Sequence, residues 1–251
     1  MKLIWAVLVP ALALWGCGSP APVPQPSAIE AAPEIPVMGQ EQQIVALGDS
    51  LFAGYGLEPG QSYPARLEAA LRARGINARI MNAGVSGDTT AGGMQRLSFT
   101  LSSLPQPPAL VIISLGGNDM LRGLPPEQTK ANLDAILAEL GKRKIKAVLL
   151  GMLSAPNLGA DYRAKFDPIY PALAKKHEAA LVPFFLQPLI DKPELIQPDH
   201  IHPTLPGIDL LVGSTGRPRS ASPRSTRFAR KPRRGSGAST PISRQPRRRW
   251  R

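Results

Sequence analysis

The run Ala109-Leu110-Val111-Ile112-Ile113-Ser114-Leu115 sets the strongest limit on how this chain can fold. It is short, β-branched and apolar at successive positions, so as a strand it must be covered on both faces. Strands of that kind sit at the centre of parallel sheets, and parallel sheets need a helix in each crossover. The flanking sequence supplies both parts. Strand-like runs fall at Ile44–Leu47, Ile76–Met81, Ala147–Leu150 and Leu181–Phe185. Between them, Leu67, Ala70 and Leu71 share one helical face that Gly75 ends; Asp88 to about Ser103 reads as a helix; and Leu133, Ile136, Leu137 and Leu140 mark another, with Gly141 near its end. Phe166, Ile169, Tyr170 and Leu173 keep helical spacing, with Pro171 expected to bend or delay that helix. The expectation is an α/β domain: a five-stranded, mostly parallel sheet between helical layers.

Each of the first three strands delivers small or polar residues at its carboxyl end: Gly48-Asp49-Ser50, Asn82-Ala83-Gly84 and Gly116-Gly117-Asn118-Asp119. Open α/β sheets bind ligands at that edge, and a helix starting there offers free N–H groups to an anion. Ser50 is the candidate nucleophile. The N–H groups of Ser50 and Gly84, with the side-chain amide of Asn118, are candidates for an oxyanion hole. A nucleophilic serine needs a base, and the chain has three histidines. His177, among Lys175, Lys176 and Glu178, reads as part of a solvated face. In Asp199-His200-Ile201-His202-Pro203, positions 199 and 202 project to one side of a turn, so Asp199 can hold one ring nitrogen of His202 while the other faces Ser50. His200 is the internal rival, its side chain directed away from Asp199.

With these blocks in order, the chain resembles the SGNH, or GDSL, hydrolases. Ser50 matches the first block (Gly-Asp-Ser-Leu), Gly84 the second (Asn-Ala-Gly-Val-Ser-Gly-Asp-Thr), Asn118 the third (Gly-Gly-Asn-Asp), and Asp199 with His202 the last (Asp-x-x-His-Pro). Within that family it is most similar to the periplasmic thioesterase I, arylesterase and lysophospholipase group, through Gly84–Gly93, Leu121–Pro126 and Gly151-Met152 with Pro156-Asn157. The resemblance implies a flavodoxin-like three-layer α/β/α fold and hydrolysis of esters and thioesters through an acyl-enzyme, with no metal and no cofactor. An apolar acyl groove is expected near Leu153–Gly159. Carbohydrate O-acetyl groups are an alternative substrate class on the same scaffold.

The ends of the chain differ from this body. Lys2, the apolar stretch Leu3–Leu14 and Cys17 read as a lipoprotein-type signal peptide over 1–16, with Cys17 the lipidated residue and the membrane a partner through that anchor. Such a leader directs the protein to the cell envelope, facing the periplasm; read as a plain secretory leader with an incidental Cys17, it directs the protein to the periplasm unanchored. Residues 17–40 form an Ala/Pro-rich tether, and the hydrolase domain is expected over 41–212. Of 30 Lys and Arg residues, 13 lie between Gly213 and Arg251, where there is no Asp or Glu; the rest of the chain holds 17 basic and 18 acidic residues. The formal charge of +12 is therefore a property of an Arg/Pro/Ser-rich tail, and it does not mark the body as a nucleic-acid binder. The switch at Gly213 falls where a closing helix is expected. It fits a frameshifted ending, a polycationic arm for anionic surfaces or a solvated extension, and the arm would make the chain a non-catalytic polyanion-binding lipoprotein. The single cysteine excludes an internal disulfide framework and a cysteine-based zinc site. Oligomeric state is not legible.

Overall fold

The computed structural model describes residues 36–215. Cys17 and the leader therefore lie outside the described residues, as does the tail beyond Thr215. The first strand, β1 (Met38–Gly48), buries Ile44–Leu47 completely or nearly so and stops at Gly48. Asp49 then caps a short helix, α1 (Ser50–Ala53), by accepting the Leu51 N–H, and Gly54 ends it in the left-handed region. Next come α2 (Tyr63–Arg72), capped by Ser62, and β2 (Ile76–Gly84). Thr89 caps α3 (Thr90–Ser102), which leads to β3 (Leu110–Ser114) and α4 (Gly117–Leu121). The long amphipathic α5 (Pro126–Lys142) turns its Leu133, Ile136, Leu137 and Leu140 inward before β4 (Lys146–Leu150).

Two helices follow where one was expected. The pattern across Phe166–Leu173 divides into α6 (Gly159–Phe166) and α7 (Ile169–Lys176), with the break at Asp167-Pro168. Pro171 itself sits in the first turn of α7, where its missing N–H has no carbonyl to lose. The last strand, β5 (Ala180–Val182), is shorter than Leu181–Phe185 because Pro183 cannot donate to a ladder. Among the described residues the chain closes with α8 (Leu205–Thr215).

All five strands pair in parallel, in the order β2-β1-β3-β4-β5. Because crossovers are right-handed, reversing the direction of travel after β2 moves the helices to the other face. The step from β1 to β2 puts α2 on one face. The steps onward put α3, α5 and α7 on the other, where they pack in a row. The third layer is completed by α8, which lies on α2. The sheet order reverses at β1, which has β2 on one side and β3 on the other. A crevice opens outside the carboxyl ends of these strands, and Ser50 follows β1 directly into it.

Two expected boundaries shift. Met38–Gln40 belongs to β1 and not to the tether, since Met38 pairs with Ile76. Gly213–Thr215 belongs to α8 and not to the tail. The Tyr63 hydroxyl, 2.7 Å from Thr215 Oγ1, ties that last turn to α2.

Candidate active site

Ser50 opens α1, so its N–H has no partner within the helix and faces the crevice side of β1. Its hydroxyl lies 2.7 Å from His202 Nε2. On the other side of the ring, His202 Nδ1 is 2.6 Å from Asp199 Oδ2. Asp199 Oδ1 accepts the N–H groups of Ile201 and His202, both at 3.0 Å. These contacts hold the Asp199 carboxyl down at about 2: the His202 N–H contributes most, then the His202 ring, then the Ile201 N–H. An ionised carboxylate can only accept, so Nδ1 carries the ring proton and Nε2 presents its lone pair to the Ser50 O–H. The loop that does this is short and internally bonded, closed at its base by the antiparallel bridge between Ile196 and Pro203. The ring of Tyr55 covers one face of His202, with centroids 4.5 Å apart.

The expected base and its rivals separate cleanly. His200 also lines the crevice, but it is exposed, takes φ +61 and makes no side-chain bond with Asp199. His177 ends α7, far from Ser50 in the fold. It is not simply solvated, because its Nε2 meets Asp134 Oδ1 at 2.5 Å.

Gly84 requires correction. Its N–H donates to Asn82 Oδ1 at 2.9 Å and is not free for a reacting atom. A Cβ at position 84 would come within 2.3 Å of the Ala53 nitrogen, so glycine is needed there for β2 to pass against α1. The crevice is instead lined by Gly87, at φ +81, whose N–H has no acceptor among the described residues. Asn118 stays in place: it lines the crevice and uses one amide proton on the Asp88 carbonyl, at 2.9 Å. The second amide proton remains available, beside the Ser50 and Gly87 N–H groups.

One arginine holds these loops together. Arg96, on α3, donates to the Gly48 carbonyl at 2.8 Å, to the Ala83 carbonyl at 2.7 Å and to Asp88 Oδ2 at 2.6 Å. It thus joins the ends of β1 and β2 to the residue that positions Asn118. Below it, buried Asp119 accepts from Thr90 N, Thr90 Oγ1 and Thr129 Oγ1, which fixes the start of α4. Arg96 carried no signal in the sequence, since its targets are mostly carbonyls and any residue supplies those.

Asp49 is a second carboxylate at the site and differs from Asp199 in kind. It is 2% exposed. Burial pushes its carboxyl up to about 6, with the Leu51 N–H and nearby His202 pulling the other way.

The crevice itself is a cleft of about 460 Å³. Its apolar wall comes from Leu51, Met120, Leu121, Met152, Leu186 and Ile201. The cleft lies near Leu153–Gly159, as expected, although the residue that lines it there is Met152, just before that segment. That segment meets the wall from outside: the Ala155 N–H is bonded to Met120 Sδ, and the Ser154 N–H to Asp167 Oδ1. Among the described residues no cluster of His, Cys, Asp and Glu is arranged to hold a metal ion.

This geometry has close relatives. Residues 46–210 match the GDSL-like lipase/acylhydrolase family model. Esterase TesA of Pseudomonas aeruginosa is 41% identical over 164 residues, covering 65% of this chain and 81% of that protein. Thioesterase 1/protease 1/lysophospholipase L1 of Escherichia coli is 37% identical over 160 residues, covering 64% and 74%. The crystal structure of AlinE4, an SGNH-hydrolase family esterase, is 60% identical with a TM-score of 0.63, over 71% of this chain and 95% of that one. From the middle of β1 to α8, then, both the sequence blocks and the three-layer frame are shared, and the chain belongs to the GDSL-like lipase/acylhydrolase family as a serine ester and thioester hydrolase.

Proposed function

We propose that Ser50, His202 and Asp199 are the catalytic residues and that they hydrolyse small acyl esters and thioesters through an acyl-enzyme. The reading is carried by the continuous chain of bonds from Asp199 through His202 to Ser50, at 2.6 and 2.7 Å, opening on an apolar cleft. Ser50 Oγ attacks the acyl carbonyl as its proton passes to His202 Nε2. The charge that develops on the carbonyl oxygen is met by the N–H groups of Ser50 and Gly87 and the amide of Asn118. His202, now a cation beside the Asp199 carboxylate, gives its proton to the leaving alcohol or thiol. A water then repeats the sequence on the acyl group and frees Ser50.

The apolar wall supports acyl chains over sugar O-acetyl groups as the substrate class, which fits relatives named as esterase, arylesterase and thioesterase/lysophospholipase. The same relatives give no support to a non-catalytic polyanion binder. The leader over 1–16, followed by Cys17, supports a lipid-anchored, periplasm-facing location, where phospholipid-derived esters are at hand.

Labelling with a fluorophosphonate probe tests the reading. Intact protein is expected to take up one equivalent, and Ser50→Ala none. Labelling that survives in Ser50→Ala, or wild-type protein that neither labels nor cleaves a soluble aryl ester, would overturn it.

A further inference from the structure

Ser50 and His202 reach the cleft from opposite ends of the chain, 152 positions apart. Nothing in either local structure fixes their separation. The loop carrying Asp199 and His202 is braced within itself, and α1 is braced against β2 through Asn82, whose amide donates to the Phe52 carbonyl at 2.7 Å. Apart from the Ser50–His202 contact itself, one hydrogen bond among the described residues joins the segment 50–57 directly to the loop 196–204, and it comes from Gln197.

The amide nitrogen of Gln197 donates one proton to the Tyr55 carbonyl and the other to the Pro203 carbonyl, both at 2.9 Å. Its backbone is equally committed. The Gln197 N–H donates to the His202 carbonyl at 2.7 Å, and the Gln197 carbonyl accepts the His200 N–H at 3.0 Å. One residue therefore grips the histidine loop from within and reaches across to the stretch that follows α1. Room for the reach is provided by Gly56, at φ +72, where a Cβ would fall 2.1 Å from Gln197 Oε1. Tyr55, whose carbonyl is the target, is the residue whose ring lies on His202. The tie thus sets both the distance from Ser50 to the imidazole and the face against which the imidazole rests.

We infer that Gln197 is a positioning residue for the hydrolysis proposed above: its two-pronged amide holds the His202 loop at bonding distance from Ser50. The inference rests on that catalytic reading. An amide is the only one of the common side chains of this length that can serve, because both targets are acceptors. Glutamate has the same shape and no N–H, and methionine has nearly the same length and no polarity. Displacements on the scale of 1 Å between reacting groups lower rates by about 100-fold, which sets the scale of effect expected when the tie is lost.

The test compares wild type, Gln197→Met and Gln197→Glu on a soluble aryl ester, with active sites counted by fluorophosphonate titration. The expected result is a kcat per titrated site lower by about 10- to 100-fold in both variants, with KM changed less than about twofold. Gly56→Ala, which drives the amide aside, is expected to lower kcat per site in the same sense. A merely structural role gives a different pattern: fewer titratable sites, each turning over at the wild-type rate, and that outcome overturns the inference. So does an unchanged kcat in both variants. Failure of wild-type protein to label overturns the catalytic reading itself and is told apart by the wild-type control.

Discussion

The carboxyl edge of the sheet and the face between α2 and α8 are built to opposite standards. At the edge, the loops are cross-linked by polar side chains: Arg96 on two carbonyls and a carboxylate, Asp119 on three donors, Asn82 on α1 and Gln197 across the cleft. On the α2 face, a groove of about 430 Å³ runs over Ile44, Leu71, Ile112, Val148 and Leu150, and Thr215 lines it from α8. Among the described residues two polar side-chain contacts join α2 to α8: Tyr63 to Thr215 at the groove, and the exposed ion pair of Arg66 with Asp209 at 2.7 Å. The difference shows that alignment of the reacting groups depends on short polar ties at one edge. The sheet itself stands on the core between β1, β3 and the α3–α5–α7 layer, whether or not its other face is fully covered.

By that contrast, removing a reacting group or a polar tie at the edge should cost rate, and changes at the groove should cost stability alone. The largest expected effect is at the reacting groups: His202→Ala should lower kcat by about 10⁴-fold or more, while His200→Ala, on the same loop, should leave kcat close to wild type. Comparable losses in the two variants would remove the assignment of His202 as the base. Asn118→Ala should follow, with kcat lower by about 100- to 1000-fold and KM little changed, since its free amide proton meets charge that exists only in the transition state.

These residues were legible in the sequence to unequal degrees, for physical reasons. Asp199 and His202 could be paired because a spacing of three places side chains together in a single turn, with no knowledge of the rest of the fold. The buried strands could be found because two covered faces force every position to be apolar. The start of β1 could not, since Gly39–Gln42 is polar and exposed and its strand conformation comes from pairing with β2. Choosing between Gly84 and Gly87 depends on which N–H is already taken by Asn82 Oδ1, a fact about a folded turn. Arg96 and Gln197 were invisible because they act mostly on backbone carbonyls, which leave no mark on the residues that supply them.

A smaller effect separates the two carboxylates at the edge. The Asp49 carboxyl sits at about 6 in the folded protein against an ordinary 3.8, because burial disfavours its charge. The folded state therefore holds that proton more tightly than the unfolded chain does. The resulting stabilisation is complete below about pH 3.8 and is lost as pH rises through about 6, a swing of about 3 kcal/mol. Asp49→Asn keeps the acceptor for the Leu51 N–H and removes the titration. Urea unfolding at pH 4 and pH 7.5 should show wild type losing stability relative to the variant over that interval. Parallel pH profiles would mean that the buried carboxyl is solvated in solution.

The smallest effect belongs to the groove. Thr215 Oγ1 donates to the Leu211 carbonyl at 2.8 Å, so in the contact between the two hydroxyls Tyr63 is the donor. Burial pushes the Tyr63 hydroxyl up to about 12, so it stays protonated through the neutral range. Tyr63→Phe leaves the ring stacked on Phe52, 5.3 Å away, and removes only the bond that secures the end of α8. The expected cost is about 1 kcal/mol, or about 2–4 °C in Tm, with kcat per titrated site unchanged. A fall in kcat without a fall in Tm would mean that the groove side is coupled to the reacting groups, and the division between an edge that sets rate and a face that sets stability would have to be abandoned.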